Sequence, residues 1–386
     1  MQNFNFYNPT QIIFGANRLS ELDSHIDKGA KVMIVYGGGS AKKYGTVDRA
    51  IEALGGRKVI EFGGVEANPQ FNTLMKAVAL AKEEEVDFLL AIGGGSVMDG
   101  TKFISLAMHY EKEPEDLLFH GFSGPPAKKA TALGCIVTLP ATGSESNAGG
   151  VITYKDQKYP VMCPLTYPKF SFLDPELTQT LPREQIANGV ADAFVHVIEQ
   201  YLTYPVDAKV QDRMAEGILL TLIEDGPKTY SDSDNMEARK NFMWSATNAL
   251  NGIIGVGVPQ DWATHMIGHE LTASYGIAHG RTLAVVLPYL LRERKDKKKA
   301  KLLQYAKRVW NISEGRDDEI INQAIDKTEN FFNSLGINTK LSSYGIDEAG
   351  VDRVTANMEK MGLTALSETQ DLGLDTVKRI LKNAII

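Results

Sequence analysis

Gly-Gly-Gly-Ser occurs twice, at residues 37–40 and 93–96, and each copy closes a short run suited to a buried strand. Those runs are Lys31–Tyr36 and Asp87–Ile92; Lys58–Phe62, closed by Gly63-Gly64, and Leu133–Leu139 are two more. Helix-like stretches separate them, such as Thr73–Glu85, apolar at Leu74, Ala77, Val78 and Ala81. Strand and helix in alternation imply a parallel sheet with helices on its faces, because parallel neighbours need a long crossover. Ligands of such sheets bind outside the carboxyl ends of the strands. Glycine lets the backbone approach a pyrophosphate there, and the next helix's amino end offers it free N–H groups. Gly37, Gly38, Gly39, Ser40, Gly94, Gly95 and Ser96 are therefore candidate dinucleotide contacts, although the Gly-x-Gly-x-x-Gly spacing is absent. One glycine triplet is more often a tight turn; two at matching strand ends carry more weight. A third polar turn, Thr138–Asn147, follows the fourth run.

From Pro182 onward the pattern is helical only. Pro182 suits a first helical position, with Glu184 in the first turn, and Pro205 stops that helix. Ala208–Leu222, Ala238–Leu250, Ala263–Ser274, Thr282–Leu291 and Asp317–Leu335 also read as helices. The expected fold is α/β followed by all-α: a dinucleotide-binding parallel-sheet domain over residues 1–181 and a helical domain over 182–386.

The helical part holds four of the seven histidines in two short windows, His196 in one and His265, His269 and His279 in the other. Asp192 stands one turn before His196, so the two share a helix face. Ligands from two helices can close around one divalent ion, and imidazole with carboxylate suits Zn²⁺ or Fe²⁺. A single Asp–His pair is usually only a helix pair; the clustering favours a metal. Met266 occupies the glutamate position of a His-Glu-x-x-His helix, so nothing argues for peptide hydrolysis.

A net charge of −7 gives no basic field for nucleic acid or anionic lipid. The basic run from Arg292 to Lys301 reads as a solvated helix face. Cys135 and Cys163 are the only cysteines, and Cys135 lies in a strand-like run, the pattern of structural thiols in a reducing compartment. Neither a signal peptide nor a membrane span is visible, so a cytoplasmic protein is expected.

The ordered motifs resemble the iron-dependent (group III) alcohol dehydrogenases, in their branch of butanol dehydrogenases and NADPH-dependent aldehyde reductases. The resemblance rests on Tyr7–Thr10 with Ile13–Gly15, Gly93–Ser96 with Asp99, Leu139–Glu145, Leu173–Pro175, Ala191–His196 and His265–Gly280. It implies Asp192, His196, His265 and His279 as ligands of one divalent metal, Fe²⁺ or Zn²⁺. His269 becomes a non-ligand near nicotinamide and substrate, a separation from His265 that spacing alone does not give. Gly94, Gly95, Ser96 and Asp99 are implied around pyrophosphate and ribose, with Thr138, Thr142, Asn147, Lys158 and Leu177 as further cofactor positions. Asp99 and His269 would stand at the reacting centre.

One departure from NAD-linked relatives is informative. Their aspartate after the first strand is replaced by Gly37, with Ser40, Lys42 and Lys43 following. Removing the acid relieves repulsion of a 2′-phosphate, and the hydroxyl and amines can donate to it. The expected activity is reversible reduction of short aldehydes to primary alcohols with NADP(H), NAD(H) being the weaker partner, in a homodimer. The alternatives are an NAD-linked polyol (glycerol-type) dehydrogenase and a dehydroquinate-synthase-like lyase.

Overall fold

In the computed structural model, which describes residues 1–386, the apolar runs pair into one parallel sheet. Its strands are β1 (Gln11–Phe14), β2 (Val32–Tyr36), β3 (Val59–Phe62), β4 (Phe88–Gly93) and β5 (Ala132–Val137), then β8 (Phe170–Leu173) after a hairpin of β6 (Gly149–Tyr154) and β7 (Gln157–Met162). The spatial order is β1-β8-β5-β4-β2-β3, and every neighbouring pair is parallel. Helices α1 (Ser40–Lys43), α2 (Thr46–Ala53), α3 (Phe71–Glu83) and α4 (Gly95–Ala107) connect strands of this unit. With both faces covered, β4 is buried along its whole length, which is why its sequence is continuously apolar rather than alternating.

From β2 the chain first adds β3 on one side and then β4 on the other, so the order reverses between β2 and β4. Tyr36 lies opposite Ile92 in the register, and Gly93 lies opposite Val137 on β5. The two glycine loops and the Thr138 turn therefore leave adjacent strands side by side at the switch point where such sheets bind ligands.

The chain separates into two compact units, Tyr7–Leu181 and Met1–Phe6 together with Pro182–Ile386. The second unit is helical: α5 (Arg183–Tyr201), α6 (Lys209–Ser231), α7 (Met236–Ala249), α8 (Ala263–Tyr275), α9 (His279–Glu293), α10 (Lys299–Arg308), α11 (Asp317–Ser334), α12 (Glu348–Lys360) and α13 (Leu374–Asn383). Pro182 is the residue before α5 rather than its first, and α6 runs on through Pro227, past the expected end at Leu222. No helix is long and apolar enough to cross a membrane.

The first six residues belong to the helical unit, where Gln2 N–H donates to Gly257 O at 2.9 Å. The basic run is a correction. Arg294, Lys298 and Lys301 are buried, not a solvated face. Arg294 pairs with Asp371, and Lys301 with Asp212 at 2.5 Å. Lys298 Nζ reaches Asp261 Oδ2 at 2.7 Å, Glu368 Oε1 at 2.9 Å and Leu202 O at 2.6 Å. Its partners are distant in sequence, so periodicity could not reveal them. Replacing Lys298 with Met, which keeps the volume, leaves two buried carboxylates without their cation. This should cost about 3–5 kcal/mol in chemical denaturation of the purified protein; a loss below about 1 kcal/mol would show that the triad behaves like an exposed pair.

Candidate functional site

From Gly189 to Tyr201, α5 is buried on every side, as befits a helix at the centre of its unit. Polar side chains persist on such a helix only where something satisfies them. Asp192, His196 and Glu199 lie on it at steps of four and three, and so share one face. α8 brings His265 and His269 on successive turns, and α9 begins at His279. Gly280 allows that convergence: a Cβ there would stand 2.2 Å from the carbonyl oxygen of Asn188, one turn before Asp192. No other residue lets α9 start so close to α5.

Asp192 Oδ1 is 3.6 Å from Nε2 of His196 and 3.8 Å from Nε2 of both His265 and His279. These spacings are too long for hydrogen bonds. They approach the edges of a coordination tetrahedron, since ligands about 2.0–2.2 Å from an ion stand roughly 3.3–3.6 Å apart. The ligand atoms of Asp192, His265 and His279 all lie within 4.8 Å of one another, and the ring of His196 stacks on that of His265 with centroids 4.6 Å apart. Nε2 of His265 is buried and has no hydrogen-bond partner. One carboxylate and two imidazoles that lie this close together, with His196 Nε2 beside the same carboxylate oxygen, fit a divalent ion of the zinc or ferrous kind. The His269 ring stands beside the group, 4.7 Å from the His279 ring and 6.1 Å from that of His265.

Glu199 escaped the sequence reading. It is buried, its Oε2 accepts from His265 Nδ1, and its Oε1 accepts from the N–H of Thr264 at 2.6 Å. A proton kept on Nδ1 leaves Nε2 to present its lone pair, and the acid raises that lone pair's basicity. Burial opposes charge on His265, but Glu199 and Asp192 outweigh it and hold the imidazole up at about 9. Burial also raises the Glu199 carboxyl, against the pull of His265, so the proton between the two is held tightly. Burial pushes His196 down to about 4, Asp192 opposing and His265 assisting. The signal available in the sequence was the three-residue step from His196; what it lacked was the partner 66 residues away.

In the sheet unit, Thr138 N–H donates to Gly93 O at 2.9 Å, tying the third loop to the second. A Cβ on Gly95 would lie 2.5 Å from the Thr142 side chain, so the first turn of α4 sits directly against that loop. Asp99 is half-buried one turn further on, accepting from Ser144 Oγ at 2.7 Å and Val151 N at 2.9 Å. Lys102 Nζ donates to Ser144 Oγ, Asn147 Oδ1 and Gly149 O at 2.8, 3.0 and 2.7 Å. Burial pushes the Asp99 carboxyl up, against Lys102, and pushes Lys102 down to about 8. Asp99 and Asn147 thus brace the loop with their own side chains, and Asn147 Nδ2 donates to Gly143 O at 2.9 Å. Ser96 Oγ bonds Ala67 O. Lys158 lies on β7, where its charge acts on Asp99, and Leu177 packs against the sheet core. Of the two lysines after the first glycine loop, Lys42 is engaged by Asp48 at 2.8 Å and Glu61 at 3.1 Å, whereas Lys43 lies 5.4 Å from the ring of Tyr44.

A parallel sheet with glycine loops at its switch point, and a buried carboxylate–imidazole cluster on helices, describe a metal-dependent oxidoreductase. Residues 9–175 match the iron-containing alcohol dehydrogenase model and residues 186–385 the C-terminal model of the Fe-containing alcohol dehydrogenase family, and the chain belongs to that family. It is 55% identical over 388 residues to the NADPH-dependent aldehyde reductase YqhD of Escherichia coli (strain K12), with 100% of both chains covered. To the probable NADH-dependent butanol dehydrogenase 1 of Bacillus subtilis (strain 168) it is 39% identical, again over 100% of both. The crystal structure of E. coli K-12 YqhD matches with a TM-score of 0.97 at 54% identity, covering 99% of each chain. That of NADH-dependent butanol dehydrogenase A from Thermotoga maritima matches with a TM-score of 0.94 at 34% identity, covering 100% of this chain and 99% of the other.

Glu199→Gln keeps the size of the side chain but removes the charge behind His265. Metal affinity, measured by competition with a chromophoric chelator, should fall about 10–100-fold while the helical content stays unchanged. An unaltered affinity would show that the acid only packs there.

Proposed function

We infer that this chain reduces aldehydes to primary alcohols with NADPH, reversibly, and that Asp192, His196, His265 and His279 hold one divalent ion, iron or zinc, for the purpose. The observation that carries the reading is the meeting of three Nε2 atoms around Asp192 Oδ1 in a chain so similar along its whole length to an NADPH-dependent aldehyde reductase. A bound ion supplies Lewis acidity toward a carbonyl oxygen, which favours the alkoxide-like transition state over the ground state. NADPH supplies the hydride.

The protein's own groups do the rest. Gly94, Gly95 and Ser96 present the amino end of α4 to a pyrophosphate, and Gly37–Ser40 leave room at the adenosine end. Thr138 and Thr142 line the neighbouring loop, whose shape Asp99, Lys102 and Asn147 maintain. Lys158 and Leu177 complete the nucleotide contacts. His269, standing outside the convergent set, passes the proton that converts alkoxide to alcohol. With no acid in the first glycine loop, Ser40 and Lys43 are free to face a 2′-phosphate, so NADPH is preferred to NADH. The two free, buried cysteines suit a reducing cytoplasm, and β1, paired only to β8, gives two copies an open sheet edge on which to form a homodimer.

His196→Ala should reduce the co-purified metal to a small fraction of one equivalent and lower kcat/KM for butanal by about 10³-fold or more. Full turnover in a metal-free preparation would overturn the reading. Gly38 is the open position of its loop, with no heavy atom within 4 Å of a built Cβ. Gly38→Asp should therefore weaken kcat/KM for NADPH by about tenfold or more through charge repulsion while changing that for NADH little. Equal losses with both cofactors would mean that the first glycine loop does not meet the 2′-phosphate.

A further inference from the structure

Trp262 is the residue before α8, and it adopts the left-handed conformation, with φ of 60°. A bulky side chain rarely takes this region, and it persists only where the surroundings over-determine it. They do so here. Asp261, just before it, donates its N–H to Glu199 O at 2.9 Å, accepts from Ala263 N at 3.0 Å, and is gripped by the buried Lys298 at 2.7 Å. Gln260 accepts from the indole Nε1 at 2.9 Å and donates its own Nε2 to Gly255 O at 3.1 Å. Backbone and indole are both fixed.

The result of that conformation is the placing of the ring. It stands in T-shaped contact with His265, centroids 5.2 Å apart, and with His196, centroids 6.2 Å apart. Unlike those two buried imidazoles, the indole stays partly open to solvent. Partly exposed apolar surface, rigidly held beside a ligand set, gains free energy when an alkyl group covers it, and each methylene removed from water adds to the gain.

Resting on the reductase reading, we propose that the indole of Trp262 is the platform on which the carbon chain of the aldehyde lies, and that it makes the protein select unbranched aliphatic aldehydes by length. The Lys298–Asp261–Gln260 clamp is the positioning device for that platform. The segment Ile253–Pro259, wholly small or apolar, leads toward the same residue, and its side chains offer no group to bind a charged or polyhydroxylated chain.

The test compares the unaltered protein with Trp262→Phe and Trp262→Ala, each with measured metal content, on ethanal, propanal, butanal and hexanal. In the unaltered protein kcat/KM should climb by up to about fourfold per methylene, mainly through KM. Trp262→Ala should flatten the climb, losing little with ethanal and at least tenfold with hexanal, and Trp262→Phe should restore part of it. A second readout needs no turnover. In a Trp244→Phe/Trp310→Phe background loaded with Zn²⁺, the remaining Trp262 emission should shift to the blue with 1-hexanol and hardly at all with ethanol. The same loss at every chain length, together with lowered metal content or no emission shift, would overturn the proposal and leave the indole as packing for the imidazoles. An unaltered protein that consumes no NADPH with any aldehyde would overturn the reductase reading instead, and the emission shift would still judge the platform.

Discussion

A carboxylate buried at the middle of a helix enclosed on every side is the constraint on which the helical unit turns. Moving such a charge out of water costs several kcal/mol even after relaxation, and Asp192 offers no helix end or surface to relieve it. Three imidazoles meet it at distances beyond hydrogen bonding. An apolar side chain would be the more stable occupant of the same volume, so the cluster is retained for what it can hold. The remainder follows: Gly280 so that α9 can touch α5, and Glu199 so that one imidazole keeps its lone pair inward.

The sheet unit solves a different problem with backbone rather than charge. Its reversal of strand order opens a gap at one end of β2 and β4, where Thr138 N–H ties the loop after β5 to Gly93 O and Gly64 N–H ties the segment after β3 to Gly37 O. Glycine keeps the loops thin. The buried lysine on α4 then braces the third loop from beneath, so that a flexible turn becomes a fixed surface. Flexibility of sequence and rigidity of structure coexist because the rigidity comes from three hydrogen bonds to one ammonium group.

Much of this was written locally and therefore legible. Continuous apolar runs ending in glycine identify central strands because burial on both faces removes alternation, and the Asp192–His196 step identifies a shared helix face. The misses have equally physical causes. β1 and β8 are four residues long, too short for any period to show. The β6–β7 hairpin turns on Lys155-Asp156, both at positive φ, instead of the Asn-Gly that announces such turns, and Pro160 sits within β7. Lys298 looks like any surface lysine until residues 261 and 368 are brought to it. The bracing part that Asn147 plays, its oxygen taking Lys102 Nζ and its amide N–H donating to Gly143 O, depends on a helix 45 residues away and shows in no local pattern.

The opening segment docks on residues near Gly257, with Phe4 and Phe6 beside Gly257 and Gly252. Residues 2 and 257 meet across the whole length of the sheet unit, so this contact forms only after a long loop has been closed. Because Phe4 and Phe6 stay nearly half exposed there, little buried surface holds the segment, and it should open locally before the rest of the helical unit.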